Sequence, residues 1–545
     1  MTTLTRRAAL AGGAALSLVP ALARAGERAD LVVRDDLPWR PISPLLYGSN
    51  EIGAMEGGPL SAELDRAAGV TARRLGGNLM TTYDWATNVS NAGKDWRHAN
   101  LPFLPDALRM DEADRSRPAA VIDVMHRASL AMGAKSLVTL PLAGYVAADG
   151  DGDVPESEAA PSRRFKPVRW EGRTPADAAI DPSVCDAPHL LARLKEAYGG
   201  AGDAGGIFAY ALDNEPGLWP ETHPRVVRAK PRIAELIARS VAAAKTVKAI
   251  DPDALVFGPA SWGATEFASF QNAPDWRAHR RFGSFLAAYL DAFRRASEEA
   301  GTRLLDVLDV HWYPYSVAGE LLGAEDTALA PALLDAPRSL TERGFRERSW
   351  VTDTLQVNDE DDDAVTLPLL PSLHRIAARW FPGTKVAVTE FNYGGGRLTA
   401  SGLALADALG RFGASDVFLA CHWGALGGSL GEAYRLYRAG DAAGAGGFGD
   451  RSYEVQGTTP RLAAYAAGSG DAGPARLVAV NGAEAAAEIT LRFASGRPRR
   501  ARAVLGFDAA QTETGPVANA TPTSDGAGLW RMTLPPRSAR RFAFD

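Results

Sequence analysis

The stretch FAYALDNEPGLW, Phe208 to Trp219, is an apolar run that breaks off in Asp213, Asn214 and Glu215 before Pro216. Such a run, closed by proline, reads as a buried parallel strand with a carboxylate at its C-terminal end. Asp-Asn-Glu-Pro is equally good turn chemistry, and on this segment alone the two readings stand level. A partner carboxylate elsewhere in the chain has to decide between them.

Seven more runs share the pattern: LLYGSNE (45–51), TARRLGGN (71–78), SLVTLPLAGY (136–145), ALVFGPASW (254–262), LLDVLDVHWYP (304–314), KVAVTEFNYGGG (385–396) and VFLACHWG (417–424). Each ends in polar or aromatic residues, and helix-like segments such as PRIAELIARSVAAAKTVKAI (231–250) separate most of them. Eight strand and helix units imply an α/β fold, a (β/α)8 TIM barrel whose active groups gather at strand C-termini. Glu390 ends the seventh run as Glu215 ends the fourth, so the two glutamates are expected to face each other across the mouth. Paired carboxylates in an aromatic-lined cleft are the apparatus of glycoside hydrolysis: one a protonated acid of raised pKa, the other an ionised carboxylate.

Past about Tyr453 the texture changes to short alternating segments, RLVAVNG, EITLRF, ARAVLGF and LWRMTLPP, with Trp530, Met532 and Leu534 on one face. They read as an additional antiparallel β-sandwich domain, completed by an early strand around Leu31. The expected organisation is a signal segment at 1–25, strands joining the sandwich at 26–44, the barrel at 45–455 and the sandwich at 456–545. The signal carries Arg6 and Arg7, a short Ala- and Gly-rich apolar region and a small-residue exit at Ala23 to Ala25. It reads as a twin-arginine export signal, too short and weak to anchor in a membrane. Export, periplasmic or extracellular, is therefore expected.

At 545 residues with 46% hydrophobic content, the chain can bury a sizeable core, and its net charge of -6 comes from well-mixed acids and bases. No basic surface argues for nucleic acid and no cationic amphipathic segment for a membrane; a monomer is expected. The two cysteines, Cys185 and Cys421, read as buried thiols. Two loops are acidic. AADGDGDVPESEAAPS (147–162) offers Asp149, Asp151, Asp153 and Glu158 as oxygen ligands for a structural calcium, without EF-hand spacing, so a solvated loop is the alternative. NDEDDDA (358–364) reads as a solvated turn. The glycines 394–396 lack a P-loop lysine and follow the carboxylate, so they read as a close-packed turn.

Several motifs lie in the same order as in a known family: YGSNEIGA, ARRLGGN, YDWATNVSNAGKDWRH, YALDNEPGLWPETHPR, FGPASWG, APDW, RLLDVLDVHWYP, PGTKVAVTEFNYGGG and CHWG. From Tyr47 to Tyr465 the chain resembles the glycoside hydrolase family 44 endoglucanases and xyloglucanases. The resemblance implies a barrel with a β-sandwich and endo-acting hydrolysis of β-1,4-glucans with retention, without a catalytic cofactor. It also implies membership of clan A, whose acid and nucleophile sit on strands four and seven. It places the acid/base on Glu215 and the nucleophile on Glu390, matching the strand-end reading. Asn214 would bond the sugar 2-hydroxyl, and Arg74 or Arg73, with Tyr313, would hold Glu390 ionised and oriented. Retention requires carboxyl groups roughly 5 to 5.5 Å apart.

Trp85, Trp219, Trp312, Trp423 and Trp262 end strands or enter their loops, and indoles stack on pyranose faces. Two or three of the five are expected to touch substrate, Trp423 beside the nucleophile. His311, next to Tyr313, is expected to line the cleft, and His223 is a weaker candidate; neither has zinc-site spacing. Two other readings compete: a non-catalytic β-glucan-binding protein on the same barrel, which would keep the tryptophans and lose a carboxylate, and a metal-dependent hydrolase with His and Asp ligands at strand ends. Xyloglucan, cellulose derivatives, mixed-linkage glucan and glucomannan would each fit an open cleft.

Overall fold

The computed structural model describes residues 27–51, 61–355, 364–440, 447–470, 474–497 and 499–545. The expected signal segment and residues 358–363 of the second acidic loop lie outside these. Eight strands close into a parallel barrel: β1 (Gly48–Asn50), β2 (Ala72–Leu75), β3 (Lys135–Leu140), β4 (Ala209–Leu212), β5 (Leu255–Ser261), β6 (Val307–Trp312), β7 (Lys385–Phe391) and β8 (Leu419–His422). They pair in sequence order, and β8 closes on β1 through Cys421 opposite Gly48. Seven of the strands fall inside the apolar runs, and β3 begins one residue before its run, at Lys135. The runs are legible because a barrel strand is covered on both faces, by the barrel interior and by the outer helices, so apolar residues need not alternate with polar ones.

Helices at Ser61–Ala68, Ala120–Ala131, Ala187–Tyr198, Ile233–Ile250, Phe285–Ala300, Leu369–Trp380, Thr399–Ala414 and Ser429–Arg438 surround the barrel. Their apolar stripes, such as Leu369, Leu373 and Ile376, are fully buried against it. Cys185 and Cys421 are both buried free thiols.

The second domain is built from a five-stranded and a seven-stranded sheet. Glu27–Val33 enters the five-stranded sheet beside Ala487–Phe493, in parallel, within an otherwise antiparallel sandwich. Trp530, Met532 and Leu534 face inward in strict alternation, and meet Leu31, Leu491 and Phe544 in the sandwich core. Sandwich pairing begins at Arg451, slightly before the expected boundary at 456. The sandwich is seated on the barrel by directed bonds: Arg541 donates to the Leu436 carbonyl at 3.0 Å and the Ala439 carbonyl at 2.7 Å, and Tyr465 bonds Asp407. Among the described residues no helix is long and apolar enough to cross a membrane.

Candidate active site

The C-terminal ends of β1, β2, β4, β6, β7 and β8 converge on one group of polar side chains. Glu390 is the sixth residue of β7, buried and bonded on both oxygens. Arg74 Nη1 donates to Oε1 at 2.7 Å and the Tyr313 hydroxyl to Oε2 at 2.7 Å. Arg74 is fully buried on β2; the same Nη1 donates to Asn50 Oδ1 at 2.9 Å, and Nη2 to Asn214 Oδ1 at 2.8 Å. Asn50 is held in turn by its own Nδ2 donating to the Thr389 carbonyl at 2.8 Å. One guanidinium thus fixes the ends of β1, β2, β4 and β7 together, the fork geometry that suits arginine to such a post.

The choice between Arg73 and Arg74 is settled by strand alternation. Arg74 points into the barrel. Its neighbour is also fully buried and points outward. There Arg73 bonds Glu51, Asp65 at 2.8 Å and the Met125 carbonyl at 3.2 Å, pinning β2 to the helices around it.

At the end of β4 the backbone turns sharply. Asp213 and Glu215 both adopt left-handed φ, 67° and 46°, a conformation costly for residues with a side chain and characteristic of functional sites. Asp213 fastens the turn: its Oδ1 accepts from the Thr81 hydroxyl and the Asn214 N–H, both at 2.7 Å, and its Oδ2 from the Leu142 and Ala143 N–H groups. The Glu215 N–H bonds the Ala260 carbonyl at 2.9 Å. Its side chain is 15% exposed, reaching the mouth. Burial pushes its carboxyl up to about 7, with the Arg74 charge opposing.

His311 on β6 lies between the two glutamates. Its Nδ1 is 2.9 Å from Glu215 Oε1 and 3.5 Å from Glu390 Oε2. Burial lowers the ring to about 3, so it is neutral, and Nδ1, facing two carboxyl groups, is assigned the proton. Donor atoms of Glu215, His311 and Glu390 all lie within 4.8 Å of one another. Asn214, its Oδ1 taken by Arg74, keeps an Nδ2 donor whose protein contact is a long 3.4 Å bond to Asn78. A groove of about 930 Å³ between barrel and sandwich, lined by Arg40, Glu342, Arg411 and Tyr453, contains none of these groups. Convergent chemistry, rather than size, marks the site.

The family model for glycoside hydrolase family 44 matches residues 89–316. Endoglucanase A of Paenibacillus lautus is 36% identical over 512 residues, covering 91% of this chain and 70% of that protein. The chain belongs to glycoside hydrolase family 44. Among solved structures, a xyloglucanase of this family from Paenibacillus polymyxa, determined with xyloglucan, superposes with a TM-score of 0.84 at 34% identity, over 95% of this chain and 99% of that one. Cel44A, a family 44 endoglucanase from Clostridium thermocellum, does so with 0.87 at 34% identity, over 95% and 100%. The protein is a glycoside hydrolase.

The tryptophans of this family 44 hydrolase divide differently from the expectation. Trp85, Trp219 and Trp312 are buried and face no cleft. Trp312 follows inward-pointing His311, so alternation turns it outward, where it stacks on Phe267 at 6.4 Å. Trp85 packs edge-on against His189. Trp219 donates Nε1–H to the Asn214 carbonyl at 3.2 Å and props the β4 turn. Trp423 is half-buried at the end of β8. Its indole lies so close over Gly77 that a Cβ there would come within 2.7 Å of the ring, at a φ of 79° that also favours glycine. Trp350 packs against Trp262, rings 5.9 Å apart, and against Tyr315, 5.1 Å apart, in a partly exposed aromatic cluster; Trp96 is 56% exposed. His223 is fully buried beside Thr222.

Sequence reading had passed over Trp96, Trp350, Tyr315, Asn50 and Asp213 as site residues. Asn50 ends its strand and was open to the strand-end rule; Trp96 closes a one-turn 3-10 helix and Trp350 opens a six-residue helix, both too short to show periodicity.

In the structure the acidic loop is organised around an arginine. Among the described residues, Glu215, His311 and Glu390 form the one group of three or more His, Cys, Asp or Glu donors close enough to hold an ion. Arg164 occupies the middle of the loop instead, bonding Asp149 at 2.8 Å, Glu158 at 3.2 Å and the Gly152 and Asp153 carbonyls, while Asp153 pairs with Arg97. Asp151 is exposed, its N–H bonded to Asp149. A guanidinium supplies the positive charge that the acidic spacing had suggested for calcium.

Proposed function

We propose that this enzyme is an endo-β-1,4-glucanase that cleaves xyloglucan or soluble cellulose derivatives with retention of anomeric configuration. One observation carries the reading: carboxyl oxygens of Glu215 and Glu390, on β4 and β7, approach within 4.8 Å. That spacing is shorter than the roughly 6.5 to 9.5 Å of inverting pairs and suits direct attack by one carboxylate.

In the first step, the Glu390 carboxylate attacks the anomeric carbon while Glu215 gives its proton to the departing glycosidic oxygen. A glycosyl ester forms on Glu390 and the leaving chain departs with the proton. In the second, Glu215, now ionised, takes a proton from water, whose oxygen displaces Glu390 from the anomeric carbon. Arg74 and Tyr313 orient the attacking oxygens. His311 donates Nδ1–H to Glu215 Oε1, which leaves Oε2 to carry the acid proton. Asn214 Nδ2 is placed to bond the 2-hydroxyl, a contact that strengthens in the oxocarbenium-like transition state.

Trp423 forms the floor beside the nucleophile. Trp423→Ala is expected to lower kcat/KM on polysaccharide about 10-fold, consistent with loss of one stacking contact; steady-state kinetics would show this, and unchanged kinetics would remove the ring from the subsite. Trp96 and the Trp262, Tyr315 and Trp350 cluster extend the walls. The chemistry needs no cofactor, so hydrolysis is expected to survive exhaustive chelation; loss restored by a divalent ion would contradict the mechanism. The relative determined with xyloglucan makes branched glucan the first substrate to test. Reducing-end release from xyloglucan and carboxymethylcellulose, compared at equal concentrations, tests the substrate class, and activity on neither overturns it. The twin-arginine pair and small-residue exit support export, and the enzyme is taken to act as a monomer.

A further inference from the structure

Behind Glu215 lies a second carboxylate that takes no part in the chemistry above. Glu266, on the short helix Ala264–Ser269 that follows β5, is fully buried. Its Oε1 accepts from the Ser261 hydroxyl at 3.0 Å and its Oε2 from the Trp262 N–H at 3.3 Å. The backbone of Gly217 packs directly against it, and its N–H favours the charged form. Gly217 belongs to the turn Pro216–Leu218 that leaves Glu215, and a Cβ on it would stand 2.7 Å from Glu266 Oε2. The carboxylate therefore bridges two chain segments, the end of β5 and the turn that carries the acid.

That bridge acts where the backbone is least able to hold itself. Glu215 is left-handed, and so is Ala260, the residue whose carbonyl receives the Glu215 N–H. Two such residues side by side persist only when neighbouring bonds over-determine them. Glu266 supports both flanks: it bonds Ser261 and Trp262 directly after Ala260, and packs against Gly217 two residues after Glu215. Without it, the Ser261 hydroxyl and the Trp262 N–H lose their acceptor, and the turn at Gly217 loses the group it packs against and is free to relax.

We infer that Glu266 is a positioning residue for the general acid: it fixes the turn that aims the Glu215 carboxyl at the leaving oxygen, and touches no substrate itself. The inference rests on the proposed role of Glu215. Its consequence is specific to proton delivery. A poor leaving group needs that proton in the transition state, whereas a dinitrophenolate departs without it. A residue acting through Glu215 should therefore matter on the first kind of substrate and not on the second.

The test compares kcat/KM on soluble glucan and on a 2,4-dinitrophenyl β-cello-oligoside for Glu266→Ala, Glu266→Gln, Gly217→Ala and Glu215→Ala, with thermal melts to verify folding. Glu266→Ala is expected to lose about 100-fold on glucan and stay within about 3-fold of wild type on the activated substrate. Glu266→Gln retains an oxygen for the Trp262 N–H, an amide for the Ser261 hydroxyl and the volume that packs on Gly217, so it should recover most of the glucan activity. Gly217→Ala, which keeps the carboxylate but displaces it, should move in the same direction as Glu266→Ala and covers the case in which the latter does not fold. Equal losses on both substrates, or none on either, would overturn the inference. If Glu215→Ala shows the leaving-group dependence and the Glu266 and Gly217 variants do not, only this inference fails. If Glu215→Ala lacks it, the acid assignment falls and this inference with it.

Discussion

Glu390→Gln is expected to reduce turnover by on the order of 10⁴-fold or more, with the fold intact. The amide is nearly the size of the carboxylate, and its oxygen can still accept from Arg74 or Tyr313, so the ends of β2 and β6 stay in place. What it lacks is a charged oxygen to attack the anomeric carbon. The substitution does leave an –NH2 facing one of two donors, at Oε1 toward Arg74 or at Oε2 toward Tyr313, where both now bond at 2.7 Å. The melting temperature should therefore shift by a few degrees at most, while substrate binding persists. A thermal melt and a binding isotherm with a cello-oligosaccharide separate these effects. Near wild-type turnover would remove Glu390 from the mechanism.

Glu215→Gln is expected to lower kcat/KM on glucan by about 10²- to 10⁴-fold and to abolish the basic limb of the pH profile. The sign follows from burial. Glu215 must hold a proton to serve as acid, and its carboxyl is pushed up to about 7, so the acid form dominates below that value and is lost as pH rises through it. Wild-type kcat/KM should fall above about pH 7, where an exposed glutamic acid would already have been ionised for several units. In the variant the remaining rate should not decline over that range. A basic limb that survives unchanged in Glu215→Gln would assign the titration to another group.

Much of the barrel was legible because its strands are buried on both sides, and a run such as KVAVTEF has no other soluble use than as a covered strand. The strand-end rule then found Glu215, Glu390 and His311, because a barrel opens solvent-facing chemistry only where its strands stop. The same rule misled at Trp312. Reading that residue as a platform ignored its place next to His311, since alternation sends one of two neighbours out of the barrel. Arg73 and Arg74 obey the same parity, and both are buried because each direction offers carboxylates.

Other features depended on contacts that sequence distance hides. The acidic loop invited a cation, and the cation that came was Arg164, itself part of the chain a few residues on. Trp219 looked like a sugar platform and is a strut for Asn214. Glu266 sits in a helical segment that reads as ordinary surface, yet the fold presses it against Gly217. Nothing local to ATEFAS indicates a buried carboxylate; it becomes visible only when β4 and β5 lie side by side. Trp350 and Tyr315 are brought to Trp262 by a long insertion after β6, whose path no periodicity describes.

The most direct measurement is covalent trapping. A 2-deoxy-2-fluoro cello-oligoside with a dinitrophenolate leaving group slows breakdown of a glycosyl ester more than its formation, so the adduct accumulates and can be located by peptide mass spectrometry. Double displacement requires the added mass on the peptide that follows Lys385, at Glu390, with loss of the adduct when an acceptor sugar is supplied. An adduct on another residue, or no adduct together with an α-configured first product from glucan, would contradict it.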